Sequence, residues 1–242
     1  MIKLLKIIAG LVLSVTILLA FVVQPFSWSA AASGLNREVQ LPVAVKNEPV
    51  VITKVTIKDL VVQSGRFVHD RTQPMDPVTP FQADDDWIRD MTLYLFNRTN
   101  RTITFAQVLF GFPETGDGRS IPQHAFMLQL GRIPASFLPA GRPQPADREP
   151  IAFRPHGTLA IHLGEYIDQI RAQAGPALTP EIATQLVVRL SPFFFSDNTE
   201  WHASRYYSID PQIPGKLMHL DKDYFPGDME AYWPGRPGWQ DR

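Results

Sequence analysis

The sequence predicts a mainly β protein, an antiparallel sandwich carrying one short helical insertion. Three observations lead there. Proline supplies 22 of the 242 residues, about twice its usual share of ~5%, and inside a helix it removes an N–H and clashes with the preceding turn. Runs rich in β-branched and aromatic residues recur between clusters of turn-forming residues. Only residues 164–175 carry a convincing helical stripe of apolar side chains. A parallel α/β sheet would need a crossover helix between most of its strands.

The first 32 residues read as an address. Lys3 and Lys6 precede an uncharged apolar run over 7–23, and Ala30-x-Ala32 follows a proline and two serines. A basic start, an apolar centre and a small-x-small ending make an export signal, which predicts cleavage before Ser33. The same stretch, uncharged from 7 to 36, is long enough to serve instead as an uncleaved membrane anchor. Either way the lysines lie on the cytoplasmic side and the remainder is expected outside it, in the periplasm, the medium or at the surface. Residues 33–49 then read as a lead-in with one edge strand, 50–209 as the sandwich domain, and 210–242 as a tail rich in proline, glycine and aromatics.

Along the domain, VVITKVTIKDLVV over 50–62 alternates and predicts a strand, and the three prolines of 70–80 predict a loop. Asp84, Asp85 and Asp86 predict a solvated loop or cap anchored by Trp87. Residues 91–96 and 102–112 flank Asn97-Arg98-Thr99-Asn100-Arg101 and predict a hairpin, because asparagine accepts positive φ and bonds its own backbone. Both Asn-Arg-Thr triplets also match the glycosylation pattern; hairpin-turn chemistry is the better account of them. Loops are expected over 113–122 and 137–150, with short strands at 126–130 and 153–163. Tyr166, Ile167, Ile170 and Ala174 form the helical stripe, closed by Gly175. Thr179-Pro180-Glu181 predicts a second short helix to about residue 184. Residues 186–195 and 199–207 form a second hairpin around Ser196-Asp197-Asn198.

That second hairpin carries a resemblance. Phe195, Asp197, Asn198, Thr199 and Trp201 are similar to the closing hairpin of uncharacterised secreted bacterial immunoglobulin-like β-sandwich proteins, with Asn198 where glycine is usual. The segment 91–110 resembles the hairpin that sets an asparagine at a strand end in such domains. The resemblance implies an immunoglobulin-like antiparallel β-sandwich and supplies no catalytic residues.

The composition narrows the chemistry. With 23 basic and 24 acidic residues the formal charge is −1, so no global field draws the chain to nucleic acid. The absence of cysteine removes disulfides, thiolate nucleophiles and cysteine-ligated metals. No nucleophile elbow, zinc-protease helix, phosphate loop or dinucleotide fingerprint occurs. The six histidines are dispersed: His156 and His162 are the nearest pair, six apart, and His69, His124, His202 and His219 stand alone. His219, Asp221, Asp223 and Asp228 have the spacing of a calcium loop but lack its glycine and terminal glutamate. No catalytic residue, metal ligand or cofactor is expected.

The function implied is a non-enzymatic binding or structural module of a bacterial cell envelope, with an envelope protein or glycan as partner. The alternatives are a hydrolase of envelope polysaccharide, using carboxylates of 84–86 or 221–228, and a calcium-stabilised binding module. Tyr232, Trp233 and Trp239 are the candidate partner contacts, on Pro-Gly turns near the chain end. Residues 210–225 are expected to lie against the sandwich, with Trp233 and Trp239 more exposed. Truncation after Gly227 should then leave the melting temperature almost unchanged.

Overall fold

A computed structural model of the chain describes residues 34–68, 78–113, 124–138, 149–174, 183–213, 215–220, 224, 226–227 and 229–234. The export-type segment, Trp239, the calcium-like aspartates, most of the second helix and most of the three expected loops lie outside them. Among the described residues no helix is long and apolar enough to cross a membrane.

The protein is mainly β, with several antiparallel pairings and one short helix. The strands are β1 (Leu35–Gln40), β2 (Val43–Ala44), β3 (Val50–Ile57), β4 (Leu60–Ser64), β5 (Arg66–Phe67), β6 (Phe81–Ala83) and β7 (Met91–Asn97). They continue with β8 (Ile103–Phe112), β9 (His124–Gly131), β10 (Thr158–His162), β11 (Gln185–Phe195), β12 (Thr199–His202), β13 (Arg205–Ile209) and β14 (Leu217–His219). Eight of them form one sheet, ordered β14-β13-β12-β11-β1-β6, with β8 also pairing β11 and β9. A four-stranded sheet runs β10-β7-β3-β4, and β2 pairs β5.

Alternation explains how the two larger sheets pack. Val55, Leu93 and Leu95 from the four-stranded sheet share one core with Val108, Phe110, Val188 and Phe193 from the eight-stranded sheet. Period-two side chains leave each sheet one apolar face, and stacking the faces buries both. The helix, α1 (Ile167–Ala174), follows a 3-10 turn at Leu163–Tyr166 and buries Ile170 completely, as the stripe predicts.

Four local expectations are corrected. The run 50–62 is not one strand. Lys58 takes φ 53°, and Ile57 pairs Leu60 across the two-residue turn Lys58-Asp59. The lysine ammonium is held by Asp90 at 3.2 Å and Asp84 at 3.7 Å, which fixes a turn that lacks the usual Asn-Gly signal. Residues 199–207 likewise divide at Ala203 and Ser204, both with positive φ, into β12 and β13. The lead-in strand β1 is no edge. It sits between β11, to which it is parallel, and β6, and buries Arg37 and Val39 completely.

The fourth correction concerns the chain at 97–102. β7 and β8 do not pair: β7 lies between β3 and β10, and β8 between β11 and β9. The connector crosses from one sheet to the other, and Asn97, Arg98 and Thr99 are wholly buried. Asn97 spends its amide on this crossing. Nδ2 donates to the carbonyls of Arg101 (2.8 Å), Phe153 (3.1 Å) and Arg154 (3.1 Å), while Oδ1 accepts from Thr99 N and Oγ1. Such an amide has no access for a glycan. The β11–β12 hairpin does form as expected, with Asn198 at φ 59° and Asp197 Oδ1 accepting from Thr199 N and Oγ1.

The tail keeps its expected pattern only in part: Leu220 and Tyr224 pack against the main core, as expected, but Trp233 is buried rather than exposed. Residues 211–213 and 215–219 are exposed; β14 adds an outer strand to the sheet, leaving Ile213, Leu217 and Met218 open. Beyond Gly227 the chain returns inward. Met229 enters the main core and Trp233 is 4% exposed. Trp233 packs edge-on to Phe67, at 6.0 Å between ring centres, with the Arg98 guanidinium over its ring at 4.7 Å. Tyr232, half-buried, lies on Phe96 and His156. These rings cover the outer face of the four-stranded sheet beside Ala44 and Val51, where strand alternation alone would have left Phe96 to water.

Candidate functional site

The cavity that stands out begins as a gap in strand pairing. One edge of β11 is occupied by β1 through Val187 and by β12 from Phe193 onward. Between them the strand bulges, its register on β8 jumping from Leu190 to Phe193 around a cis Ser191–Pro192 bond. Proline has no N–H to give a ladder, and a bulge redirects the side chains beside it. β1 turns away at Leu41-Pro42, and a cavity of about 500 Å³ opens in the space left over.

Its lining comes from five places in the chain. Pro42 and Val43 follow β1, Glu48 lies in the turn before β3, and Val68 follows β5. Arg189, Leu190 and Ser191 come from the bulge, and Trp201, Ala203 and Ser204 from β12 and its turn. The walls are tied together. Asn47 Nδ2 donates to Ser204 O (3.2 Å), the Tyr206 hydroxyl to Asn47 O (3.3 Å), and Arg98 Nη1 to Glu48 O (2.7 Å). Tyr206 is deeply buried, and that burial pushes its hydroxyl well above the ordinary phenol range. It remains a neutral donor at any physiological pH.

Two polar groups in this lining have no hydrogen-bond partner. The indole N–H of Trp201, a residue 5% exposed, and the hydroxyl of Ser191 are both buried without one, and with no accessible surface neither faces the open space of the cavity. Buried polar groups are nearly always satisfied, and each orphan costs about 1–3 kcal/mol. Among the described residues this cavity is the candidate binding site, on its size and its mainly apolar lining.

Next to Trp201 but on the opposite face of β12, Glu200 is 7% exposed. Burial raises its carboxyl above the usual 4.5, opposed by His202, whose Nδ1 is 3.8 Å from Oε1. A raised acid is a stability penalty, absent below the unfolded pKa and complete above the folded one. Glu200→Gln is therefore expected to melt higher than the parent at pH 7, the difference closing as pH falls through the carboxylate range. Thermal melts from pH 3 to 8 check this; a pH-independent difference would refute it.

The candidate residues read from sequence do not assemble. Tyr232 and Trp233 are held within the protein's own packing rather than presented to a partner, because Arg98, Phe67 and Phe96 receive them. Trp239 lies outside the described residues. Asp84, Asp85 and Asp86 are exposed and pair separately with Lys58, Arg37 and Arg89, while Trp87 is the buried anchor beneath them. His162 bonds Thr92 Oγ1 at 2.9 Å, and His156 meets Tyr232 beyond the opposite end of β10. Among the described residues no three histidine or acidic side chains gather as a metal site would require. Sequence reasoning used Trp201 only as a hairpin marker and passed over Ser191. Neither carries a motif, and the proline inside an apolar strand at 192 was the one available sign of a bulge.

Comparison with family models, with curated protein sequences and with solved structures finds no match to this chain.

Proposed function

We propose that the chain is an exported, non-enzymatic binding module of the bacterial cell envelope, with the Trp201 cavity as its ligand site. One observation carries the binding half: an apolar cavity of ligand size where β1 and β12 fail to meet along β11. The export half rests on the pattern of residues 1–32, with its two lysines, apolar run and Ala-x-Ala ending. The carboxylates of 84–86 are engaged in three separate ion pairs, and Asp221, Asp223 and Asp228 of the hydrolase alternative lie outside the described residues.

Expression of the full chain in a bacterium, followed by N-terminal sequencing of the exported product, tests the first half. A mature terminus at Ser33 is expected; retention of residues 1–23 in the membrane fraction would make the segment an anchor. Melting that product with and without a solvent extract of envelope lipids tests the second. A rise in melting temperature is expected, by about 2–4 °C for each kcal/mol of linked binding. Turnover on polysaccharide or ester substrates, abolished by substituting a single aspartate, would overturn the non-enzymatic reading.

A further inference from the structure

We infer that the Trp201 cavity takes a short extended peptide, bound as an extra strand segment on the open edge of β11; this rests on the binding reading above. The direction of the β11 backbone sets the class. Along a strand, successive residues turn their N–H and C=O to opposite sides. Glu38 N donates to Thr184 O, one residue ahead of β11, so the even-numbered residues up to the bulge face β1. The far side of the strand agrees. Arg132 N donates to Thr104 O, which turns the even residues of β8 toward β9 and leaves the odd ones for β11. Leu109 therefore bonds its register partner Arg189, and Leu190 turns its N–H and C=O away from β8.

No strand meets them there. The pairing of β1 stops at Val187, and that of β12 reaches back only to Phe193. Among the described residues nothing pairs with this stretch of edge, and Leu190 lines the cavity. A donor and an acceptor side by side on one residue are completed by the C=O and N–H of a second peptide chain, as in strand addition. A ligand with only one of the two leaves the other unpaired at a cost.

The gap and the volume both call for a short ligand. From Val187 to Phe193 the strand runs about 20 Å at ~3.3 Å per residue, and the chain turning at Pro42 and at Ala203 closes the gap at both ends. At about 30 Å³ for each water-sized group, some 500 Å³ admits roughly fifteen heavy atoms. Two small residues with a peptide unit at either end fill that bound, and the walls at Val43 and Val68 suit apolar side chains on them.

N-acetyl-dialanine N-methylamide is the probe, titrated into the exported protein and followed in ¹H–¹⁵N spectra. Saturable binding is expected, with the Leu190 amide resonance moving downfield. With the peptide at ten times its Kd, hydrogen exchange at that amide should slow about tenfold. The lactate analogue, in which ester oxygens replace the amide N–H groups, keeps the carbonyls and the shape and loses the donors. It should bind between about twofold and tenfold more weakly, the net worth of one neutral hydrogen bond. Peptide binding with an unmoved Leu190 amide overturns strand addition, and an ester that binds as tightly as the peptide overturns the paired donor and acceptor. No response at about 20 mM peptide, well above the millimolar Kd expected of so small a ligand, overturns the ligand class. The melt with envelope extract decides separately whether the protein binds an envelope component, so a silent peptide with a raised melting temperature leaves that reading standing.

Discussion

Trp233→Ala is expected to destabilise the protein by about 3–5 kcal/mol, the range for emptying a fully buried aromatic site, and to lower its melting temperature by roughly 6–20 °C. The side chain is enclosed by Phe67 and the Arg98 guanidinium. Arg98 also donates to the carbonyls of Met229 (2.8 Å) and Tyr232 (3.2 Å) on one side and of Lys46 (3.1 Å) and Glu48 (2.7 Å) on the other. Emptying the tryptophan site therefore loosens a buried cation as well as a ring. Truncation after Gly227 removes Met229, Tyr232 and Trp233 together and is expected to lower the melting temperature in the same direction, the reverse of what an exposed aromatic tail would give. Calorimetric melts of both variants decide it. A Trp233→Ala shift below 2 °C would mean that the ring is not part of the core.

Asn97→Asp should be as damaging with almost no change in shape. Three carbonyls, of Arg101, Phe153 and Arg154, point at the amide nitrogen of Asn97. A carboxylate there would replace three donated bonds with three repulsive contacts, in a site with no exposure. A loss of at least about 3 kcal/mol is expected at pH 7 from the unpaired acceptors and the buried charge. Burial among carbonyls would raise the new carboxyl's pKa, so the deficit should shrink as pH falls and the group takes up a proton. Urea titration at pH 4 and 7 reads both effects. A loss below 1 kcal/mol at pH 7 would show that the amide is not holding the crossing.

Both sites show where the sequence was legible and where it was not. The apolar alternation of β3, β7, β8 and β11 is a local property, so their existence could be read directly. The β11–β12 hairpin could be read too, because Asn198 after Asp197 is a turn whose chemistry is complete within three residues. Asn97-Arg98-Thr99 has the same vocabulary and a different outcome. Asparagine and threonine bond nearby backbone in a hairpin or in a buried crossing alike, and the deciding partners, Phe153 and Tyr232, are far along the chain. The Ala203-Ser204 turn has no glycine or asparagine to announce it. The tail's Pro-Gly-aromatic composition said that docking must occur, but the dock is Arg98, a residue that alone reads as a solvated charge. The cavity was least legible of all, since it arises where β1 and β12 fail to meet along β11.

The parallel pairing of β1 with β11 sets an order of events during synthesis. Val39 finds its partner Leu186 only after roughly 150 further residues have been made, a separation that slows ladder formation through loop-closure entropy. Until then a strand carrying Arg37 and Val39, both wholly buried at the end, has no β11 to lie beside. For that interval the β11 side of β1 stays open to misassociation. A holding chaperone that masks residues 35–40 should therefore raise the yield of folded protein more than one acting on the late β11–β12 hairpin, whose partners emerge within seconds of each other.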